Sequence, residues 1–147
     1  MTGLDFFRLA LKLSAATEEA DLRSAVSRAY YGAFHLAYDL VDACGIQLPA
    51  SAEAHQKLRY CLDACGDPDA RMASKHLDTL RSERNAADYD LRDSEPFTRA
   101  SVAVQIKAAL DVEALVGRCK AGGPQPSLVP QAAHAVFIEN RPPGDCD

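Results

Sequence analysis

Arg81-Ser82-Glu83-Arg84-Asn85-Ala86-Ala87-Asp88-Tyr89-Asp90-Leu91 continues an apolar stripe that starts at Ala73 and steps through Leu77 and Leu80 to Ala87 and Leu91. Steps of four, three, seven and four residues return to one face of an α-helix. Arg84 fills the position skipped by the longest step, so this helix turns a guanidinium toward the core or toward a partner. A permanent charge on such a face needs an acidic partner or an exit to water. Asp88, one turn later, is the expected partner.

Outward from this stretch, the chain reads as helices separated by turn signals. Asp67 followed by Pro68 is a start signal for the same helix, which reaches about Asp90. Upstream, a helix from Ser51 to Cys65 is closed by Gly66. A longer one starts at Thr17, with Glu18 and Glu19 in its first turn, and runs to about Cys44, where Gly45 stops it. Its expected core stripe is Leu22, Val26, Ala29, Ala33, Leu36 or Ala37, Leu40 and Cys44. The first helix spans about Thr2 to Ala16, with Leu4, Phe7 and Leu11 on one face and Phe6, Leu9 and Leu13 beside them. Such broad apolarity suggests contact on two sides. Ser94 and Pro96 are expected to start the last helix, which carries Phe97, Ala100, Val104, Ala108 and Leu115 to about Cys119. No strand pattern intervenes. The expected fold is all-α, an up-and-down bundle of about five helices over residues 1–119. Residues 120–147 read as an irregular tail rich in proline and glycine, with one apolar island from Ala132 to Ile138.

Bulk composition agrees with one domain. The 147 residues are 48% hydrophobic and 25% charged, with no Trp, enough for a continuous core without staples. A net charge of −5 excludes polyanion binding through the overall field, so any nucleic-acid contact must come from a local basic patch. Arg23, Arg28, Arg81, Arg84 and Arg92 are the candidates. The five cysteines have no framework spacing, and the N-terminus shows no basic region followed by an apolar run. Reduced thiols and a cytoplasmic location are therefore expected. No apolar stretch reaches membrane-spanning length, so no membrane contact is expected. Cys61 and Cys65 lie one turn apart, but no second Cys or His pair completes a zinc site, and neither a metal nor a cofactor is expected.

The second helix carries a polar stripe beside its core face: Arg28, Tyr31, His35, Tyr38 and Asp42, at steps of three, four, three and four. This surface can hydrogen-bond, stack on a base or pair with a carboxylate. Alternatively it forms a seam between helices in which Arg28 pairs with Asp88 or Asp90. Tyr30 falls nearer the apolar stripe and belongs to the core. A dinuclear carboxylate bundle needs Glu-x-x-His pairs, and none is present. No phosphate loop, dinucleotide fingerprint or nucleophile elbow is present either.

Ser27-Arg28-Ala29-Tyr30-Tyr31-Gly32-Ala33-Phe34-His35 on one helix, followed by Arg84-Asn85-Ala86-Ala87-Asp88-Tyr89 on a later one, resembles the HEPN superfamily. More narrowly it is similar to the small stand-alone branch with an RxAYYxxF helix and an RNxADY helix. The resemblance covers roughly residues 1–119 and implies a helical bundle that dimerises with its motif helices near the interface. Many members are metal-independent endoribonucleases, often toxins, and others are encoded beside minimal nucleotidyltransferases that act as antitoxins. The family signature is an Arg, usually followed by Asn, then a His four to six residues further on. Here Arg84 and Asn85 match, but Tyr89 stands in the histidine slot, flanked by Asp88 and Asp90. Histidine suits proton transfer from a 2′-hydroxyl because it titrates near neutrality. A phenol, which ordinarily ionises near pH 10, is a poor base.

Three functions are therefore expected as alternatives. The first is a dimeric binding module associated with nucleic acid or nucleotides, the partner of a nucleotidyltransferase in a toxin–antitoxin or defence setting. In it Arg28, Arg84, Asn85 and Asp88 form a polar network, lined by Tyr31, Tyr38 and Tyr89. The second is a metal-independent endoribonuclease with a rearranged site. Arg84 would stabilise the charged phosphorane, Asn85 would orient the phosphate, and His35 would replace the missing base; the Asp88 carboxylate could also accept a proton, though Arg84 beside it weakens it as a base. The third is a non-catalytic helical scaffold.

Overall fold

A computed structural model describes residues 1–92 and 95–121. Among these residues the protein is all-helical: α1 (Gly3–Ser14), α2 (Glu19–Ala43), α3 (Ala54–Ala64), α4 (Pro68–Tyr89) and α5 (Arg99–Lys120). They form the expected up-and-down bundle, with α2 as the shared wall that packs on all four others. The apolar island at Ala132–Ile138 lies outside the described residues.

Local chemistry sets the helix ends. Asp67 accepts the amides of Asp69 at 2.7 Å and Ala70 at 3.0 Å, with Pro68 in the first turn where its missing N–H costs nothing. Gly45 and Gly66 adopt φ of 81° and 77° directly after α2 and α3. Only glycine reaches that region without strain, which is why both positions stop their helices.

Core placement follows the second-helix stripe closely. Leu22, Val26, Ala29, Ala33, Ala37 and Leu40 are buried, and Leu36 and Cys44 are partly so. Tyr30 is buried as well, and Cys61 and Cys65 are buried free thiols. On α4, Ala73, Leu77, Leu80 and Ala87 are buried. The stripe ends there, because α4 stops at Tyr89 and Leu91, 68% exposed, lies beyond the helix.

Two expectations are corrected. The face of α1 turned inward is Gly3, Phe7 and Ala10, while Leu4, Leu9 and Leu11 are exposed. The reason is a close backbone crossing. A methyl placed on Gly3 would come within 2.8 Å of the Gly32 carbonyl oxygen, and one on Gly32 within 2.7 Å of the Phe7 ring. Two helices that approach this closely through small residues bury only a narrow stripe of each. The last helix also starts later than Ser94 or Pro96. Thr98 caps it by accepting the Ser101 amide at 3.1 Å, while the Thr98 amide donates to the Ser101 hydroxyl at 3.0 Å. Its buried side is Val102, Ile106, Ala109, Val112, Leu115 and Val116, leaving Ala100 exposed and Val104 63% exposed. In a helix rich in Ala and Val two apolar stripes compete, and the one carrying Ile106 and Val112 faces α2 and α4.

Candidate functional site

Arg84 sits where α4 crosses the middle of α2, and its side chain is only 17% exposed. Its Nε lies 2.8 Å from Asp88 Oδ2 in a close ion pair, but the N–H is not aligned for a hydrogen bond. The other two nitrogens meet neutral acceptors. Nη1 donates to Asn85 Oδ1 at 3.1 Å, and Nη2 donates to the Tyr31 hydroxyl at 2.8 Å and, more weakly, to the Tyr89 hydroxyl at 3.4 Å. The guanidinium carbon also stands 5.3 Å from both tyrosine ring centres, within cation–π range. The Ser27 hydroxyl donates to the same oxygen, Asp88 Oδ2, at 3.2 Å. Arg84, Asn85, Asp88, Tyr31 and Tyr89 are thus brought together as one cluster. Tyr89 remains 71% exposed, so the cluster opens to solvent on that side.

The remaining residues of the α2 stripe part company with it. Arg28 forms no ion pair with Asp88 or Asp90. Instead its guanidinium lies over the rings of Phe6 at 5.7 Å and Tyr31 at 5.6 Å. Asp88 is already occupied by Arg84 and Ser27, which leaves Arg28 to stack. His35 stacks on Phe6 with centroids 5.3 Å apart and an interplanar angle of 11°. Tyr38 packs against Phe34 at 6.0 Å.

The sequence reading left out a histidine. His55, on the first turn of α3, shares a 2.6 Å hydrogen bond through Nδ1 with the Tyr30 hydroxyl and packs 4.4 Å from the Phe34 ring centre. Burial lowers its pKa below the ordinary 6.5, and the positive charges of Arg81, Arg84 and His35 lower it further. Burial pushes the Tyr30 phenol up to about 12, so that partner stays protonated. His55 is therefore a neutral imidazole at pH 7, with Nε2 as its second polar atom. Nothing in the spacing of α3 marks His55, because its partners are contributed by another helix.

No protein-family model, curated protein or solved structure matches this chain.

Beside the Arg84 cluster, and sharing Tyr31 with it, an open cleft of about 350 Å³ runs between α2 and the segment from Pro49 to His55. Phe34, His35, Tyr38 and His55 supply its other rings. A second, shallower depression is lined by Asn85, Ala86, Tyr89 and Asp90. Among the described residues no group of three or more His, Cys, Asp or Glu side chains is arranged to hold a metal ion, and no helix is long and apolar enough to cross a membrane.

Arg23 was grouped with the basic candidates but does other work. Its Nη1 donates to the carbonyls of Ala86 and Ala87 at 3.2 Å and of Asp90 at 3.1 Å, while Nε pairs with Glu19 at 2.8 Å. It closes the C-terminus of α4, taking up the Ala87 and Asp90 carbonyls and sharing that of Ala86 with the Asp90 amide. Phe97 lies under the same guanidinium at 4.8 Å. This lock holds the end of α4 against α2 and so fixes the helix that carries Arg84.

Proposed function

We propose that this bundle is a binding module for nucleic acid or nucleotides, working as a dimer and alongside a nucleotidyltransferase of the toxin–antitoxin or defence type. One observation carries the binding part: both Nη atoms of Arg84 rest on neutral acceptors at the edge of an aromatic cleft. A phosphate oxygen can replace a hydroxyl or amide oxygen there and gain charge–charge attraction, while Asp88 goes on holding Nε. The aromatic rings alongside offer surfaces on which a base can stack. The homodimer and the nucleotidyltransferase partner are supported by the family resemblance that Arg28-Ala29-Tyr30-Tyr31-Gly32-Ala33-Phe34 and Arg84-Asn85-Ala86-Ala87-Asp88-Tyr89 carry.

The test is anisotropy with a labelled single-stranded RNA hexamer, using wild type and Arg84→Lys. Lysine keeps the charge but loses the planar fork, so a drop of about tenfold or more in affinity is expected. Equal affinities would count against the reading. Sedimentation of the free protein tests the dimer, and co-purification with a co-expressed minimal nucleotidyltransferase tests the partner.

A second reading, metal-independent RNA cleavage, is favoured by His55, which lines the cleft and whose pKa is lowered by burial and by the Arg81 and Arg84 charges. With its Nδ1–H donating to the Tyr30 oxygen, a neutral imidazole leaves Nε2 to accept the 2′-hydroxyl proton while the guanidinium steadies the phosphorane. Cleavage in excess EDTA that disappears in His55→Gln, with RNA binding retained, is the result this reading requires.

A further inference from the structure

We infer that the cleft between α2 and the Pro49–His55 segment receives a single unstacked base of a single-stranded nucleic acid, with the adjoining phosphate on Arg84. The inference rests on the nucleic-acid reading above and assigns the base its place.

Three features of the cleft select this occupant. Its volume of about 350 Å³ falls at the lower end of small-ligand sites. One heterocycle with part of its sugar fits that space, whereas a folded peptide element or a duplex does not. Its walls are rings: Tyr31, Phe34, His35, Tyr38 and His55 all line it. Flat π-faces of this kind stack on any base, and the Tyr38 hydroxyl, Ser51 hydroxyl and His55 Nε2 are polar groups suited to a base edge.

Charge supplies the third feature. The protein as a whole is acidic, yet the cleft adjoins positive groups. Arg84 donates to the hydroxyl of Tyr31, a wall of the cleft, and Arg28 lies over the same ring. The fields of Arg81 and Arg84 also act on His55. An apolar peptide would gain nothing from that field, whereas a base attached to a phosphate gains at both ends. The geometry is also continuous, since Tyr31 lines the cleft and its hydroxyl accepts from Arg84. A nucleotide whose base enters beside Tyr31 therefore directs its phosphate toward the guanidinium. Only an unpaired base can enter, because a stacked and paired one has both faces covered.

The experiment compares a hexauridylate with an abasic ribose-phosphate hexamer of the same charge, by anisotropy at one salt concentration. Wild type is expected to bind the base-bearing hexamer about tenfold more tightly, the stacking of one base. Ala52→Trp, which puts an indole into the cleft from an exposed turn, is expected to bring the two affinities together. Tyr38→Ala is expected to reduce the difference severalfold. Circular dichroism of each variant checks that the bundle is intact. Equal affinities for the two hexamers in wild type overturn the inference but leave the nucleic-acid reading standing. A preference for the base-bearing hexamer that survives both substitutions also overturns it. Failure of both hexamers to bind removes the reading together with the inference. Uridine monophosphate competing as well as the hexamer would make a free nucleotide, not a strand, the occupant.

Discussion

Arg84 and His55 concentrate the consequences at the scale of single residues. Truncating Arg84 to alanine removes the ion pair to Asp88 and the donors to Tyr31 and Asn85. It leaves a half-buried carboxylate held only by Ser27. The expected loss of stability is about 1–3 kcal/mol, read from urea unfolding. A double substitution with Asp88→Asn should recover part of it, because the uncompensated charge is gone. His55 gives a pH dependence whose sign follows from its lowered pKa. The unfolded chain binds a proton near pH 6.5, while the folded one resists it. Stability is therefore complete above that value and falls as pH drops from 6.5 through the lowered folded value. His55→Gln should flatten the thermal-unfolding midpoint of the protein over this interval. An unchanged slope would mean that His55 is freely protonated in the fold.

At the scale of elements, the α1–α2 crossing and the end of α4 are the sensitive joints. Gly32→Ala drives a methyl into the Phe7 ring and toward the Gly3 carbonyl oxygen at 3.1 Å, and Gly3→Ala meets the Gly32 carbonyl oxygen. The Gly32 carbonyl is backbone and the Phe7 ring is buried, so neither steps aside easily and each substitution should cost about 1–3 kcal/mol despite alanine's better helix propensity. Gly117 in α5 is the contrast, with open space around the added methyl. Gly117→Ala should stabilise by about 0.5–1 kcal/mol. Measuring the three variants by urea denaturation separates crowding from backbone entropy. Arg23→Ala should cost about 1–2 kcal/mol by freeing the Ala87 and Asp90 carbonyls at the end of α4. The accompanying gain in hydrogen exchange should be confined to the amides of the last turn of α4.

For the molecule as a whole, charge and shape act in opposite directions. An overall charge of −5 repels a polyanion, so binding depends on a few close contacts around Arg84. Two or three phosphate contacts give a slope of about −1.5 to −2 in log affinity against log salt for a single strand. A much steeper slope, measured by titration across salt, would point to a broad basic surface elsewhere.

The helical periodicity of α2 and α4, the proline and glycine stops, and the inward position of Arg84 were legible in the residues. Each rests on local geometry: a 3.6-residue repeat, a cap, or a charge on an apolar face. The Arg84–Asp88 pair belongs to this group, since both residues lie on one helix a turn apart. What could not be read were the contacts made between helices. The side of α1 that faces inward depends on how closely Gly3 approaches Gly32. The choice between the two apolar stripes of α5 depends on what α2 and α4 offer it. Arg23, a candidate for the basic patch by sequence, is a cap because the end of α4 lies beside it. His55 acquired its role from Tyr30 and Phe34, residues more than twenty positions away, whose approach is a product of packing rather than of spacing along the chain.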